Sequence, residues 1–140
     1  MPPLIYVTRR AHFSAAHRLY NPSFTKERNE EVFDKCANVN GHGHNYNLEV
    51  TVAGSADPET GYVIDLTMLK RIVDDHFISK VDHRHLNLDV DFLKGINPTA
   101  ENIAIACWNQ IEPHIGGGRL YSVRLYETEQ NYAEYKGEHS

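Results

Sequence analysis

Apolar and polar residues alternate over two long stretches in the first half of the chain. Residues 4–19 and residues 42–54 follow a period of two, which is the period of a strand with one face in a core. His17 falls at the end of the mostly apolar row of the first stretch, and His42 and His44 share one face of the second. We therefore predict two long strands, with histidines at the end of the first and at the start of the second.

Two later stretches have the helical period instead. Over residues 65–79 apolar positions recur at intervals of three and four, and Asp65 or Thr67 can cap the first turn. The predicted apolar stripe of this helix consists of Leu66, Leu69, Ile72, Val73 and Phe77. A second helix is predicted to begin after Thr99, a suitable N-cap, and to end before Pro113.

The remaining predicted elements are shorter. Residues 21–35 are polar, and we interpret them as an excursion from the first strand that contains a short helix capped by Ser23. Residues 119–128 and 132–136 predict an antiparallel hairpin. The order β-β-α-α-β-β predicts one α+β domain, residues 1–140, with a four-stranded antiparallel sheet and two helices on one face. No predicted helix covers the other face of the sheet, which favours association between subunits.

The composition argues against several classes of protein. A formal net charge of -5 on 140 residues argues against nucleic-acid binding, which needs a basic face. No run approaches the roughly 20 apolar residues of a membrane span, and the first residues lack the pattern of a signal peptide. Cys36 and Cys107 are the two cysteines and make no disulfide framework; a single bridge stays open, but the lack of a signal peptide favours a reducing compartment. We expect a cytoplasmic protein without nucleic-acid or membrane partners.

His42 and His44 alternate along a strand, so both imidazoles project to one side and can reach one ion. If the two long strands pair antiparallel, His17 comes beside them. Three neutral imidazoles with a fourth position open are typical of catalytic zinc, whereas a closed structural site usually has several thiolates, and Cys36 is the one thiol nearby. On the residues alone a second interpretation stays open: ordinary strand histidines and a hydrogen-bonded core histidine.

Asp82, His83 and Glu127 can each be interpreted either as part of an active site or as an ordinary turn or surface residue. Asp82 can orient the neighbouring His83 and stabilise its charged form, but the two also fit a turn aspartate beside a surface histidine. Glu127 ends an alternating strand, where an inward carboxylate needs a partner; it also fits a surface glutamate. For Asp82 and His83 the residue types alone favour the turn aspartate beside a surface histidine.

Five motifs follow one another along the chain. They are Phe13-Ser14-Ala15-Ala16-His17-Arg18-Leu19, Cys36 with His42-Gly43-His44-Asn45-Tyr46, Asp82-His83 with Leu86-Asn87, Pro98-Thr99 with Glu101-Asn102, and Tyr126-Glu127-Thr128. In this combination, over about residues 12–137, the sequence resembles the 6-pyruvoyltetrahydropterin synthase family. Because His85 lies outside the motifs, we interpret it as a surface residue.

The sequence also resembles the related 6-carboxytetrahydropterin synthases, and two features distinguish the two families. Five residues lie between Cys36 and His42, where the carboxy enzymes usually have three. Residues 21–35 form an insert that is typical of the pyruvoyl enzymes. Both features favour the pyruvoyl family.

The resemblance implies a tunnelling fold, in which subunits join their sheets into a β-barrel of three and two such rings stack as a homohexamer. Active sites are then expected between subunits. The implied reaction converts 7,8-dihydroneopterin triphosphate to 6-pyruvoyltetrahydropterin with release of triphosphate, in tetrahydrobiopterin biosynthesis. Because it combines an elimination with an internal redox rearrangement, it needs neither nicotinamide nor flavin, and the chain has no Gly-rich dinucleotide fingerprint.

The resemblance also implies a role for particular residues. They are His17, His42 and His44 for zinc; Cys36, Asp82, His83 and Glu127 for proton transfer; and Glu127, Thr99 and Glu101 for the pterin. As a thiolate, Cys36 is the base that removes a side-chain proton. Magnesium is expected to accompany the triphosphate. Ala100 stands where the family often has a second threonine, which leaves one hydroxyl contact to the pterin open.

Two other functions stay open at this point. One is a 6-carboxytetrahydropterin synthase-like enzyme that acts on the same substrate. The other is a catalytically silent zinc- or pterin-binding module on the same fold. The silent module is disfavoured because Cys36, Asp82, His83 and Glu127 are all present, and a silent relative is expected to have lost one of them.

Overall fold

Two long antiparallel strands form the centre of the computed structural model, which describes residues 2–139. Strand β1 spans Ile5–His17 and strand β2 spans His42–Gly54. They pair along their whole length, from Ile5 opposite Gly54 to His17 opposite His42. The prediction of two long strands is therefore confirmed, although the first ends at His17 rather than at residue 19.

Within residues 2–139 the sheet has five strands: the four predicted strands are present and pair antiparallel, but the predicted count is wrong because a fifth strand is added. The order is β3-β1-β2-β4-β5, with β3 at Arg84–His85, β4 at Arg119–Tyr126 and β5 at Tyr132–Tyr135. The predicted hairpin of β4 and β5 is confirmed. Strand β3 runs parallel to β1, and a two-residue strand is too short to show any alternation in sequence.

Four α-helices lie between the strands in the part of the chain that the structure describes. Helix α1 spans Lys26–Phe33, and a 3₁₀ turn over Asp34–Ala37 follows it. Its N-cap is Thr25, whose side chain accepts a hydrogen bond from the Arg28 N–H; the prediction of Ser23 as the cap is wrong by two residues. The Leu19 N–H donates to the Cys36 carbonyl over 2.7 Å. This bond brings the excursion back to the end of β1, as predicted.

The other three helices include an irregular segment. Helix α2 spans Leu66–Val73 and is capped by Asp65. A π-helical turn over Asp74–Ile78 and the short helix α3 over Ser79–Val81 continue it without a break. Helix α4 spans Ala100–Ile111 and is capped by Thr99, as predicted.

One face of the sheet packs against the helices and holds the core. Its fully buried large side chains include Phe13, Tyr46, Leu48, Leu69, Phe77, Ile103 and Leu125. The predicted stripe of the first long helix is buried except for Leu66, which is 56% exposed. The opposite face of the sheet is polar and open, since Thr8, His12 and Asn47 are exposed. No helix among residues 2–139 is long and apolar enough to cross a membrane.

Candidate active site

The three predicted histidines meet at one end of the β1–β2 pair. His17 lies opposite His42 in the strand register, and Ala15 lies opposite His44. The Nε2 atoms of His17 and His42 are 3.1 Å apart. The ring centroids of His17 and His44 are 5.0 Å apart, and those of His42 and His44 are 4.7 Å apart. Antiparallel pairing therefore brings together three imidazoles from two strands, as the sequence predicted.

Glu127 completes the cluster from a third strand. It follows the last residue of β4, and its N–H donates to the Asn131 carbonyl over 3.2 Å at the base of the hairpin turn. Its Oε1 lies 3.1 Å from His44 Nε2 and 3.6 Å from His17 Nε2. The possible ligand atoms of His17, His42, His44 and Glu127 all lie within 4.8 Å of one another, which occurs in no other group within residues 2–139.

The tautomer of His17 follows from its contacts. Its Nδ1 lies 2.8 Å from the carbonyl oxygen of Pro98, and because a carbonyl can only accept, Nδ1 must carry the hydrogen. Burial lowers the pKa of His17 to about 4, so the ring is neutral at pH 7. Its Nε2 then presents a lone pair to the cluster. This is the arrangement of a metal ligand oriented by a backbone acceptor.

The cluster fits a metal ion on its own geometry. His44 Nε2 is buried and makes no hydrogen bond, although Glu127 Oε1 lies close to it, and a buried nitrogen without a partner requires an explanation. Burial also lowers the pKa of His44, which keeps it in the neutral form that binds metals. Tetrahedral zinc with bonds of 2.0–2.1 Å needs ligand nitrogens about 3.3 Å apart, close to the observed His17–His42 separation.

Cys36 adjoins the cluster without belonging to it. The residue lies in the 3₁₀ turn that leads towards β2, and its side chain is partly exposed. Burial first, and then the charges of Glu127 and Asp34, raise the pKa of the thiol. Burial, Glu127 and Cys36 raise the pKa of Tyr46, so thiol, phenol and carboxylate share one environment.

Asp82 and His83 do not join this cluster within one chain. They lie at the outer edge of β1, where Asp82 Oδ1 accepts a hydrogen bond from the Ser14 N–H over 3.0 Å. This bond is the largest cause that lowers the pKa of Asp82. His83 Nδ1 is 3.1 Å from Asp82 Oδ1, and the His83 side chain is 82% exposed. The pair is formed as predicted, but it faces solvent.

The predicted pterin-lining residues flank the carbonyl that orients His17. Thr99 follows Pro98, and its hydroxyl accepts a hydrogen bond from the Asn102 N–H over 3.2 Å as the cap of α4. Glu101 is exposed in the first turn of that helix. Neither side chain contacts the histidine cluster, and their role as pterin contacts stays a prediction.

Sequence reasoning missed two residues beside the site. His85 is half-buried rather than on the surface, because β3 fixes its backbone and its Nδ1 accepts a hydrogen bond from the Asn87 N–H. The alternation of His83 and His85 was the signal that could have found it. Tyr46 is fully buried, and its hydroxyl lies 3.1 Å from His17 Nδ1.

Fold and cluster define the chain as an α+β protein with a group of three histidines and one carboxylate that could hold a metal ion. The sequence model of the family described as 6-pyruvoyl tetrahydropterin synthase matches residues 6–138. The chain therefore belongs to that family, and the resemblance in its motifs is confirmed.

Individual relatives agree with this assignment. The 6-pyruvoyl tetrahydrobiopterin synthase of Pongo abelii is 44% identical over 132 residues, which are 94% of this chain and 91% of that protein. The solved structure of Caenorhabditis elegans 6-pyruvoyl tetrahydropterin synthase has a TM-score of 0.92 at 40% identity and covers 98% of both chains. A 6-carboxy-5,6,7,8-tetrahydropterin synthase of Rickettsia bellii is 31% identical over 150 residues, covering 94% of this chain and 99% of that protein.

Proposed function

We propose that the protein converts 7,8-dihydroneopterin triphosphate to 6-pyruvoyltetrahydropterin and triphosphate, as a lyase of tetrahydrobiopterin biosynthesis. The observation that carries the proposal is the convergence of His17, His42 and His44 next to Glu127 and Cys36. The reaction balances without an external oxidant or reductant, since elimination of triphosphate and an internal redox rearrangement account for all atoms. We propose that residues 1–140 act as one domain in the cytoplasm.

The proposed resident metal is zinc, held by the Nε2 atoms of His17, His42 and His44. Bound there, zinc supplies a Lewis acid that polarises the hydroxyl oxygens of the substrate side chain and a positive charge beside the thiol. Nitrogen ligands with a neutral tautomer fixed at His17 suit zinc better than magnesium, which prefers oxygen ligands. Magnesium is proposed only as the companion of the triphosphate.

Cys36 is the proposed base that takes a proton from the substrate side chain. The thiolate is the reactive form, but burial, Glu127 and Asp34 all raise the pKa of the Cys36 thiol. The positive charge of the proposed zinc would lower the pKa of the thiol and so oppose these three causes. The placement of the thiol beside the metal cluster thus supports the assignment of the base.

Asp82 and His83 are proposed to serve the active site of a neighbouring subunit. The carboxylate lies 3.1 Å from the imidazole, so it can orient the ring and stabilise its charged form while His83 relays a proton. Exposure of His83 at the outer edge of β1 supports this role, because a neighbouring chain can reach it there.

The proposed assembly is a homohexamer of the tunnelling fold, in which the sheets of three subunits form a barrel. Strand β3 covers β1 only at Ala15 and Ala16, so the edge of β1 from Ile5 to Phe13 has no partner within residues 2–139. Tyr132–Tyr135 forms the other edge of the sheet. Two open edges allow sheets of separate subunits to join.

A 6-carboxytetrahydropterin synthase is the second candidate, because a relative with that name is 31% identical. The higher identity of the pyruvoyl relatives, 44% for the Pongo abelii protein, and the five residues between Cys36 and His42 favour the pyruvoyl reaction. A silent module remains the alternative without turnover.

Product analysis tests the proposal. Purified zinc-loaded protein is incubated with 7,8-dihydroneopterin triphosphate under reducing, oxygen-free conditions, and the pterin is identified by mass spectrometry. We expect 6-pyruvoyltetrahydropterin together with one equivalent of triphosphate. A 6-carboxy product would overturn the proposal in favour of the second candidate, and absence of turnover by the zinc-loaded protein would favour the silent module.

A further inference from the structure

The segment that leaves strand β1 after His17 lies outside the sheet, yet side chains from other parts of the chain bond its backbone. The Arg18 N–H donates to Asn87 Oδ1 over 2.8 Å, and Asn87 Nδ2 donates to the Arg18 carbonyl over 2.9 Å. The Tyr20 N–H donates to Asn97 Oδ1 over 3.1 Å. Because a buried backbone polar group without a partner costs free energy, these amides take the place of a neighbouring strand.

Asn87 extends the short pairing of β1 with β3 by one residue. The Leu86 N–H donates to the Ala16 carbonyl over 2.8 Å, and the Asn87 side chain then bonds both backbone groups of Arg18. An asparagine amide can do this because it has an acceptor and a donor on one planar group. The Asn87 N–H donates to His85 Nδ1 over 3.3 Å, which fixes its own backbone. We call the two bonds between Asn87 and Arg18 the asparagine clamp.

Arg18 and Leu19 bond the turn that contains the Cys36 thiol. The Leu19 N–H donates to the Cys36 carbonyl over 2.7 Å, and Arg18 Nε donates to the Ala37 carbonyl over 3.0 Å. The Arg18 guanidinium also lies over the Tyr20 ring, with 4.0 Å from Cζ to the ring centroid, which restricts its orientation. The position of the Cys36 turn therefore depends on where the backbone of Arg18 lies.

The residue before Arg18 is His17, a proposed zinc ligand. His17 Nδ1 lies 2.8 Å from the Pro98 carbonyl oxygen, so the orientation of this ring does not depend on Asn87. The distance between His17 and the thiol depends instead on the backbone from His17 to Leu19, and the asparagine clamp fixes the middle residue of that stretch. A reacting group that is misplaced by about 1 Å can cost roughly 100-fold in rate.

We propose that Asn87 is a positioning residue: by clamping the backbone of Arg18, it fixes the Cys36 turn relative to the end of β1. The proposal rests on the proposed function, in which Cys36 is the base. Within residues 2–139 the hydrogen bonds of Asn87 go to Arg18 and His85, and none goes to Cys36 or to the histidine cluster. Asn87 therefore acts through Arg18, and its loss affects the chemical step more than the binding of metal or substrate.

Two alanine variants test this role in the zinc-loaded full chain with 7,8-dihydroneopterin triphosphate. Asn87→Ala removes the clamp. Asn29→Ala is the matched control, because Asn29 bonds both backbone groups of Asn21 in the same way, over 2.7 and 3.1 Å, but beyond the residues that bond the Cys36 turn. We expect kcat of Asn87→Ala to fall about 10- to 100-fold, with KM and zinc affinity close to those of the wild type. Asn29→Ala is expected to keep the wild-type kcat.

Hydrogen exchange of single amides, measured by mass spectrometry, tests the clamp without turnover. The Leu19 N–H is the reporter, since its bond to the Cys36 carbonyl depends on the position of Arg18. We expect this amide to exchange at least about 10-fold faster in Asn87→Ala than in the wild type or in Asn29→Ala. Asn87→Asp keeps the acceptor for the Arg18 N–H but loses the donor to the Arg18 carbonyl. It is expected to change both kcat and exchange in the same direction by less, and it replaces Asn87→Ala if that variant does not fold.

Wild-type exchange at Leu19 in Asn87→Ala would overturn the effect of the clamp on the Cys36 turn. Faster exchange with a wild-type kcat would overturn the positioning role. An equal fall of kcat in Asn29→Ala would overturn it as well, because loss of stability alone would then account for the result. Failure of the proposed function would instead appear in the wild type as absence of the 6-pyruvoyl product, so the two failures are distinguishable.

Discussion

Cys36 is the residue whose chemistry depends most on its neighbours. Three causes raise the pKa of its thiol: burial, which is the largest, the carboxylate of Glu127 and the carboxylate of Asp34. The chain alone therefore keeps this thiol protonated at neutral pH. Its proposed role as a base requires the positive charge of a bound metal, which makes metal loading and thiol reactivity dependent on each other.

Alkylation of the metal-free protein measures this dependence. Because the pKa of Cys36 is raised, we expect its reaction with iodoacetamide to be slow at pH 7 and to increase as the pH rises past the ordinary thiol range. Removal of one negative charge in Glu127→Gln lowers the pKa and is expected to increase the rate at pH 8. Glu129→Gln is the control, and peptide mass spectrometry separates Cys36 from the fully buried Cys107. An equal rate in both variants would contradict the effect of Glu127.

Tyr46 contacts His17, one of the proposed zinc ligands. Its hydroxyl and the Pro98 carbonyl both lie at His17 Nδ1, at 3.1 and 2.8 Å, while its ring stacks on Phe13. The Phe13 contact depends on the ring and the His17 contact on the hydroxyl. Removing the hydroxyl alone therefore tests its effect on the orientation of His17.

We expect Tyr46→Phe to weaken zinc binding by about 10-fold, the lower end for loss of a group that orients a ligand. The expected loss of folding free energy is about 1 kcal/mol, that of one hydrogen bond. Chelator competition and urea unfolding of the metal-free protein measure the two effects. Tyr20→Phe, on a ring that stacks under Arg18 outside the cluster, is the matched control. Wild-type zinc affinity in Tyr46→Phe would show that the Pro98 carbonyl orients His17 without help.

The loop before β2 is the element that sets the position of His42. It contains Gly41, whose φ of +75° is in the region that favours glycine. A Cβ at this position would lie 2.9 Å from the carbonyl oxygen of His17 and 2.9 Å from Nε2 of His85. The loop therefore passes so close to β1 and β3 that only glycine fits.

Gly41→Ala is expected to destabilise the protein more than a substitution with the same backbone strain. Gly61, with a φ of +78° and no neighbour within 4 Å of an added Cβ, provides the control, because Gly61→Ala adds strain without a clash. We expect Gly41→Ala to lose roughly 1–3 kcal/mol of folding free energy beyond that control and to bind zinc more weakly. Urea unfolding and chelator competition measure both. Equal free energies of unfolding for the two variants would show that His17 and His85 make room for the added methyl group without loss of stability.

Irregular elements account for most differences between the predicted and the observed fold. The first long helix was predicted from its apolar stripe, but the π-helical turn over Asp74–Ile78 was not, because a single π turn leaves no mark in a pattern of period 3.6. Strand β3 is held by backbone bonds from the His83 N–H to Ser14 and from the Leu86 N–H to Ala16. Such bonds are independent of side-chain type and therefore escape sequence patterns.

At the scale of the whole molecule, the proposed active site is complete only in the proposed assembly of subunits. Within one chain the charge of Glu127 in the histidine cluster acts on the Cys36 thiol, while Asp82 and His83 are at the outer edge of β1. The charge of His12, on strand β1, is one of the causes that lower the pKa of Asp82. His12 and His17 lie on opposite faces of this strand. A single chain therefore contains all the proposed groups but does not bring them together.

Mixing of two inactive variants tests this arrangement. We expect Cys36→Ala to retain zinc, because the thiol is not among the three proposed histidine ligands, and to lose turnover by at least about 100-fold as a missing base. His83→Ala is expected to lose turnover likewise. Co-refolded in equal amounts, the two are expected to regain about a quarter of wild-type activity, since random assembly pairs an intact thiol with a neighbour's intact histidine in that fraction of sites. The double variant is the control. No recovery would mean that both groups act within one chain.

The two long strands, the Thr99 cap and the three histidines of the cluster were predictable, because local periodicity, capping chemistry and residue spacing are written in the residue order. The groups that surround the three histidines are set by tertiary packing. Glu127 against His44, Tyr46 and Pro98 at His17, and His85 beside Gly41 are contacts between residues far apart in the chain. They depend on side-chain orientation and backbone approach, which a pattern of residue types does not contain.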